Sequence, residues 1–208
     1  MTISYPITLH GTLADIALAT LTARNVVGMS ESPFTLEQQV YQHQGQRWEL
    51  TVELNPLVRA AADPWIAWLT SLMGRYGTFS MGDPTGVAPR GSGGGTPQVA
   101  VDSQTGFTLQ IYGATSSAVN WLRAGDYVML STSAVNRLYR NLQNVNTTSG
   151  GVATLDLWPR LRLIPNSGET VAVNSTVGLW RLQDDSVVWN IRPPGIYEII
   201  FSAVEALP

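Results

Sequence analysis

The stretch SPFTLEQQVYQHQGQRWELTVELNPLVRAAADPWIAWLTSLMGRYGTFSMGDP, residues 32–84, decides the fold. Its segment RWELTVEL, residues 47–54, alternates polar and apolar side chains, and this period of two predicts a β-strand with one buried face. Gln44-Gly45 precedes the strand, and we predict a tight hairpin turn there because glycine adopts the positive φ that two-residue turns need.

One amphipathic helix is predicted near residues 57–73, directly after this strand. Two helix-start signals compete, Asn55-Pro56 and Asp63-Pro64, and good helix formers at residues 59–62 favour the earlier one. Gly74 is expected to end the helix. The residues that recur at helical spacing form one apolar stripe: Trp65, Leu69, Leu72 and Met73. This stripe is expected to pack on the neighbouring strands.

The composition indicates a folded protein with an unusual surface. Charged residues make up 13% of the 208 positions, against about 25% in ordinary soluble domains. All twelve basic residues are arginine. Either a GC-rich genome explains this, or much of the surface forms protein contacts, since interfaces favour arginine over lysine. The net charge of −3 argues against non-specific nucleic-acid binding. We expect no membrane span, because no apolar run reaches about 18 residues.

The chain is predicted to be mainly β, with a β-sandwich that contains the helix and a small inserted five-stranded β-barrel. Residues 1–85 and 178–208 are assigned to the sandwich, because the last long strand is expected to rejoin the first ones. Short β segments at regular spacing predict the barrel at residues 98–175. Glycine and proline crowd residues 86–97, which are predicted to be a linker; we call this segment the strap.

No catalytic, metal-binding or cofactor-binding constellation is recognisable, and we expect none. His10 and His43 lack partners at ligand spacing, and no serine has the spacing of a nucleophile elbow. The barrel aromatics Trp121 and Trp158 admit two interpretations. In the first, they form a ligand platform, and the chain is a carbohydrate-binding module for host-surface recognition. In the second, they belong to the core and rim of the barrel, and the leucines among them favour this interpretation.

Six stretches in this order resemble the distal tail proteins of long-tailed bacteriophages and phage-like particles. They are SPFTLEQQVYQHQGQRWELTVEL, PWIAWLTSLMGRYGTFSMGDP, the barrel segments LRAGDYVMLS, RLYRNLQNV and GGVATLDLWPRLR, and the ending YEIIFSAVEAL. The resemblance implies a structural virion protein at the tail tip, made in the host cytoplasm, without enzymatic activity. It implies a homo-hexameric ring that joins the tail tube protein to hub and fibre proteins, with the genome passing through its lumen. We expect this chain to lack the large carboxy-terminal appendage of better-known members and to carry its small barrel as an insertion instead.

Ring contacts are expected from the first hairpin and from the strap, since a glycine- and proline-rich segment can extend over a neighbouring surface. The residues expected at the ring interface are Tyr41, His43, Gln44, Gly45, Arg47, Pro89, Arg90 and Gly93.

Overall fold

The computed structural model describes residues 3–11, 13–132 and 135–207. Two β-sheets and one α-helix make up the architecture, and the predicted fold class, a sandwich with a packed helix plus a small barrel, is confirmed. The strands of the first sheet and the helix are β1 (Ile7–Thr8), β2 (Ile16–Glu31), β3 (Gln38–Leu54), β4 (Leu57–Val58), α1 (Arg59–Ser71) and β5 (Phe79–Met81), with a short 3-10 helix at Leu13–Asp15. The barrel strands are β6 (Gly95–Val99), β7 (Thr108–Ala114), β8 (Tyr127–Thr132), β9 (Val135–Asn141), β10 (Ala153–Trp158) and β11 (Val171–Ala172). The chain then returns to the first sheet as β12 (Gly178–Leu182), β13 (Trp189–Arg192) and β14 (Ile196–Glu205).

The first sheet brings the two ends of the chain together. Its strand order is β1-β5-β12-β14-β3-β2, while β13 and β4 pair with the first half of β14. Strand β14 lies against β3 with Ala203 opposite Leu50, so the alternation of residues 47–54 does define a central strand. Helix α1 and the inward faces of these strands enclose one core: Trp48, Leu50, Val52, Leu54, Trp65, Leu69, Leu72, Phe79, Trp180 and Phe201.

The helix is shorter than predicted: it runs Arg59–Ser71, whereas Leu57–Val58 form the strand β4. Trp65, Leu69 and Leu72 are buried, but Met73 is 46% exposed. The helix ends at Ser71, and Met73 and Gly74 both take positive φ, so the chain turns away before Met73 can join the stripe.

The barrel has six strands instead of the predicted five. The additional strand β6 begins at Gly95, inside the predicted strap, and pairs with β7. A single bridge between Gln98 and Thr170 brings β6 next to β11 and nearly closes the barrel. Sequence periodicity missed β6 because its five residues, GTPQV, include a glycine and a proline, which are uncommon in strand interiors.

A buried polar cluster joins the barrel to the first sheet. Arg162, which follows the barrel strand β10, forms a two-pronged ion pair with Glu205 at the end of β14, with Nε–Oε1 at 3.0 Å and Nη2–Oε2 at 2.6 Å. The same carboxylate accepts from the Trp48 backbone N–H at 3.1 Å. Arg137 of β9 is also buried and donates to the Ala206 carbonyl. The two bodies are therefore fixed by specific contacts.

Candidate assembly surface

The outer halves of β2 and β3 form a two-stranded ribbon, residues 26–45, which we call the arm. Beyond Asn25 the strands continue to Glu31 and return from Gln38; six residues of extended chain span about 20 Å. Every described arm residue is exposed or half-exposed. A two-stranded ribbon of this length is only marginally stable by itself in water, so the arm is the part of the chain that most needs a partner.

Gln44-Gly45 is not a hairpin turn, and this prediction was wrong. Strand β3 runs through both residues, and the turn lies at residues 32–37. Opposite Val26 the register shifts, so that His43, Gln44 and Gly45 form a bulge. Gly45 has no positive φ; a Cβ there would lie 2.8 Å from Val26 Cγ2. The glycine therefore serves close approach of the strands.

One face of the arm, which we call the apolar face, carries three apolar side chains at its centre. Met29 and Val40 lie opposite each other in the ladder, two positions from Val27, and side chains at this spacing share a face. All three are more than half exposed. The opposite face carries Tyr41 and the pair Ser30 and Gln39.

The tip of the arm adds two more apolar side chains. Ser32 Oγ accepts from the backbone N–H groups of Phe34 and Thr35 at 3.4 and 3.3 Å, which holds the turn. Phe34 is 94% exposed, and Leu36, at a φ of +59°, is 68% exposed. Large apolar side chains exposed close together mark an interaction site in a soluble protein.

The base of the arm is anchored to the barrel. Asn25 Oδ1 accepts from Gln46 Nε2 at 2.9 Å and from Trp158 Nε1 at 2.8 Å. Gln46 Oε1 in turn accepts from the Arg160 backbone N–H at 2.9 Å. These bonds fix the direction in which the arm leaves the body, so it is presented as a preoriented element.

The edge of the first sheet is free along β2. This strand is last in the sheet order, and its second edge has no partner among the described residues. An open edge of sixteen residues offers a template for pairing with another chain. Beside it, the outward face of the sheet is polar, and Glu49 accepts from Arg24 and Arg47 at 3.0 and 2.7 Å.

The residues predicted at the ring interface lie on two elements, the arm and the strap. Tyr41, His43, Gln44 and Gly45 lie on the exposed arm, and Arg47 lies half-buried at its base. Pro89, Arg90 and Gly93 lie on the strap, which runs along the barrel of its own chain: Gly93 N–H donates to the Trp121 carbonyl at 2.9 Å, and the Ser175 N–H donates to Val87 at 2.7 Å. The backbone of the strap is thus held to its own barrel, while the Arg90 side chain stays 65% exposed.

Asp126 is the residue that fastens the strap. Its carboxylate, 2% exposed, accepts from the backbone N–H groups of Arg90, Gly91 and Arg123 at 2.8–3.1 Å and from Arg90 Nε at 3.3 Å. Burial alone raises the pKa of Asp126, but the N–H donors and the Arg90 side chain together outweigh it and leave the pKa below its usual value.

We expect Asp126→Asn to lower the free energy of unfolding by about 1–3 kcal/mol at neutral pH, because an amide replaces a carboxylate that satisfies four donors. A depressed carboxyl pKa contributes stability above the ordinary carboxyl pKa and loses it as the pH falls through the depressed value. The difference in unfolding free energy between wild type and variant should therefore become smaller at acid pH. Urea unfolding at several pH values measures it. Asp184→Asn is the control, since Asp184 is 70% exposed. A gap that stays constant down to strongly acid pH would contradict this role.

Trp121 and Trp158 do not form a ligand platform. Trp121 is completely buried in the barrel core and donates its Nε1–H to the Gly94 carbonyl at 3.1 Å. Trp158 packs edge-on against Trp48 at a centroid distance of 4.5 Å. The interpretation as core and packing residues is the one that the contacts favour.

Within the part of the chain that the structure describes, no group of three or more His, Asp or Glu residues is placed to hold a metal ion. His10 lies edge-on to Trp65 at 5.3 Å, and His43 lies exposed on the arm. Among the described helices, none is long and apolar enough to cross a membrane.

Comparison with known proteins gives no assignment: no family model and no curated protein matches the chain. Any functional conclusion therefore depends on the arm, the free sheet edge and the resemblance of the sequence stretches described above.

Proposed function

We propose that this protein is a structural subunit that assembles with copies of itself into a ring at the distal end of a phage tail. The observation that carries the proposal is the arm, which presents Val27, Met29, Phe34, Leu36 and Val40 to solvent. No element of the described chain covers these side chains. A neighbouring subunit that covered them would remove apolar surface from water, at about 25 cal/mol per Å².

The proposed contact joins the arm of one subunit to the body of the next. Such a contact uses two different surfaces, and heterologous contacts generate rings when the rotation closes. The free edge of β2 supplies a second, backbone-mediated contact of the same kind. The arm and the edge lie on the same strand, so one neighbour can engage both.

The surface composition also supports an assembly role. Interfaces are depleted of lysine and enriched in arginine, and this chain has twelve arginines and no lysine. A sixfold ring, and contacts with the tail tube protein on one side and hub or fibre proteins on the other, follow from the resemblance to distal tail proteins.

Light scattering coupled to size-exclusion chromatography tests this proposal. We expect a species whose mass is six times the 22.6 kDa of one chain, in equilibrium with smaller species on dilution. A single species of monomer mass at every concentration, including in the presence of the tail tube protein, would contradict it.

A further inference from the structure

A cluster of arginines lies at the surface of the barrel, around Gly125; we call Arg90, Arg123 and Arg140 the arginine patch. The terminal guanidinium nitrogens of Arg90 and Arg140 lie 3.1 and 3.4 Å from the position that a Cβ on Gly125 would take. Arg123 begins the same turn, because its carbonyl accepts from the Asp126 N–H at 3.0 Å. Two like charges therefore meet over a residue that has no side chain to separate them.

The positive charge of the arginine patch is only partly balanced within the chain. Arg90 pairs with Asp126 at 3.3 Å, and Arg140 stacks on the Tyr127 ring at 5.2 Å. Within residues 3–11, 13–132 and 135–207, neither Arg123 nor Arg140 forms an ion pair. Asp83, whose carboxylate accepts from Thr85 and Gly86 at 2.8–3.1 Å, forms no ion pair with these arginines in the described structure.

The arm carries the opposite charge. Its residues include Glu31 and Glu37 but no arginine, and both glutamates are exposed beside the tip. Glu31 accepts a hydrogen bond from Gln38 at 2.6 Å; in the described structure neither glutamate pairs with a basic group. The tip therefore combines two apolar side chains with two unneutralised carboxylates.

The tip cannot reach the arginine patch of its own chain. Arg140 lies opposite Trp158 in the β9–β10 ladder, and Trp158 holds Asn25 at the arm base. The ladder carries the tip about 20 Å away from that base. A contact between the tip and the patch must therefore join two molecules.

We propose, on the basis of the ring function above, that the acidic arm tip of one copy docks on the arginine patch of the next copy. Guanidinium groups bind carboxylates through paired, charge-assisted hydrogen bonds, and complementary charges select the correct partner and register. The apolar side chains Phe34 and Leu36 supply contact area beside the ion pairs. This assigns the two surfaces of the heterologous contact.

Sedimentation velocity on the full chain, at several salt concentrations, tests the assignment by charge reversal. We expect Glu31→Arg/Glu37→Arg to weaken self-association about tenfold or more, and Arg123→Glu/Arg140→Glu to do the same, because each puts like charges opposite each other. The combination of all four changes should restore association to within about threefold of wild type, since it re-creates opposite charges with reversed polarity. Wild-type association should weaken as salt screens the contact.

Matched controls separate this inference from the ring proposal. Asp63→Arg/Asp184→Arg changes the net charge by the same amount as Glu31→Arg/Glu37→Arg, but at exposed positions away from the arm. It should leave self-association unchanged. Thermal unfolding checks that each variant folds. If the wild type associates and both charge-reversal variants associate equally strongly, the docking assignment is wrong but the ring proposal stands. Wild type that never associates overturns the ring proposal as well.

Discussion

Replacing Glu205 by alanine is expected to lower the free energy of unfolding by about 3–5 kcal/mol, because it leaves a buried arginine without its counter-charge. Arg162 and Glu205 are 7% and 5% exposed, and Arg137 is buried beside them with its Nε unpartnered. The Trp48 N–H loses its acceptor at the same time. Urea unfolding monitored by tryptophan fluorescence measures the loss.

Glu53→Ala is the matched control for this experiment, since Glu53 lies exposed on the same sheet. Its effect should stay within about 0.5 kcal/mol, the usual range for surface substitutions. A loss below about 1 kcal/mol for Glu205→Ala would show that the buried ion pair does not hold the barrel to the sheet.

Removal of the arm is expected to abolish self-association and leave the fold intact. Val27 and Gln42 lie opposite each other in the ladder, so Asn-Gly in place of residues 28–41 closes the shortened strands with a two-residue turn. The deleted residues make no contact with either core. The unfolding free energy should therefore change by less than about 1 kcal/mol, while light scattering reports only the monomer.

Point variants on the two faces of the arm refine this result. Met29→Ser/Val40→Ser removes the apolar face and should weaken association, whereas Ser30→Ala/Gln39→Ala alters the opposite face and should not. Undiminished association of the shortened protein would place the intersubunit contact elsewhere, with the free edge of β2 as the remaining candidate.

The sequence correctly predicted those elements in which the residues with an apolar pattern are also the residues buried in the folded protein. The alternation at residues 47–54 and the helical spacing of Trp65, Leu69 and Leu72 were confirmed because each pattern faces a core. Strand β6 was missed because its glycine and proline carry a loop-like composition. The turn expected at Gln44-Gly45 is a bulge, since β2 is long enough to pair with β3 on both sides of it.

The candidate site was predicted less completely than the fold. Tyr41 and His43 do lie on the arm, but the sequence did not predict its apolar face. A strand pattern with Val27, Met29 and Val40 is equally typical of a buried strand, and only the structure shows that these side chains are exposed. The strap was expected to extend over a neighbouring subunit; Asp126 holds its backbone to its own barrel, and the contact of the exposed Arg90 with a neighbour stays a prediction. No local pattern shows that Asp126 and Arg90 meet across more than thirty positions.

Negative-stain electron microscopy of the purified full-length protein tests the central claim most directly. We expect closed rings with sixfold symmetry, in which the density of each arm contacts the barrel of the adjacent subunit. Single particles of monomer size, or pairs related by a twofold axis with the arms free in solvent, would contradict it.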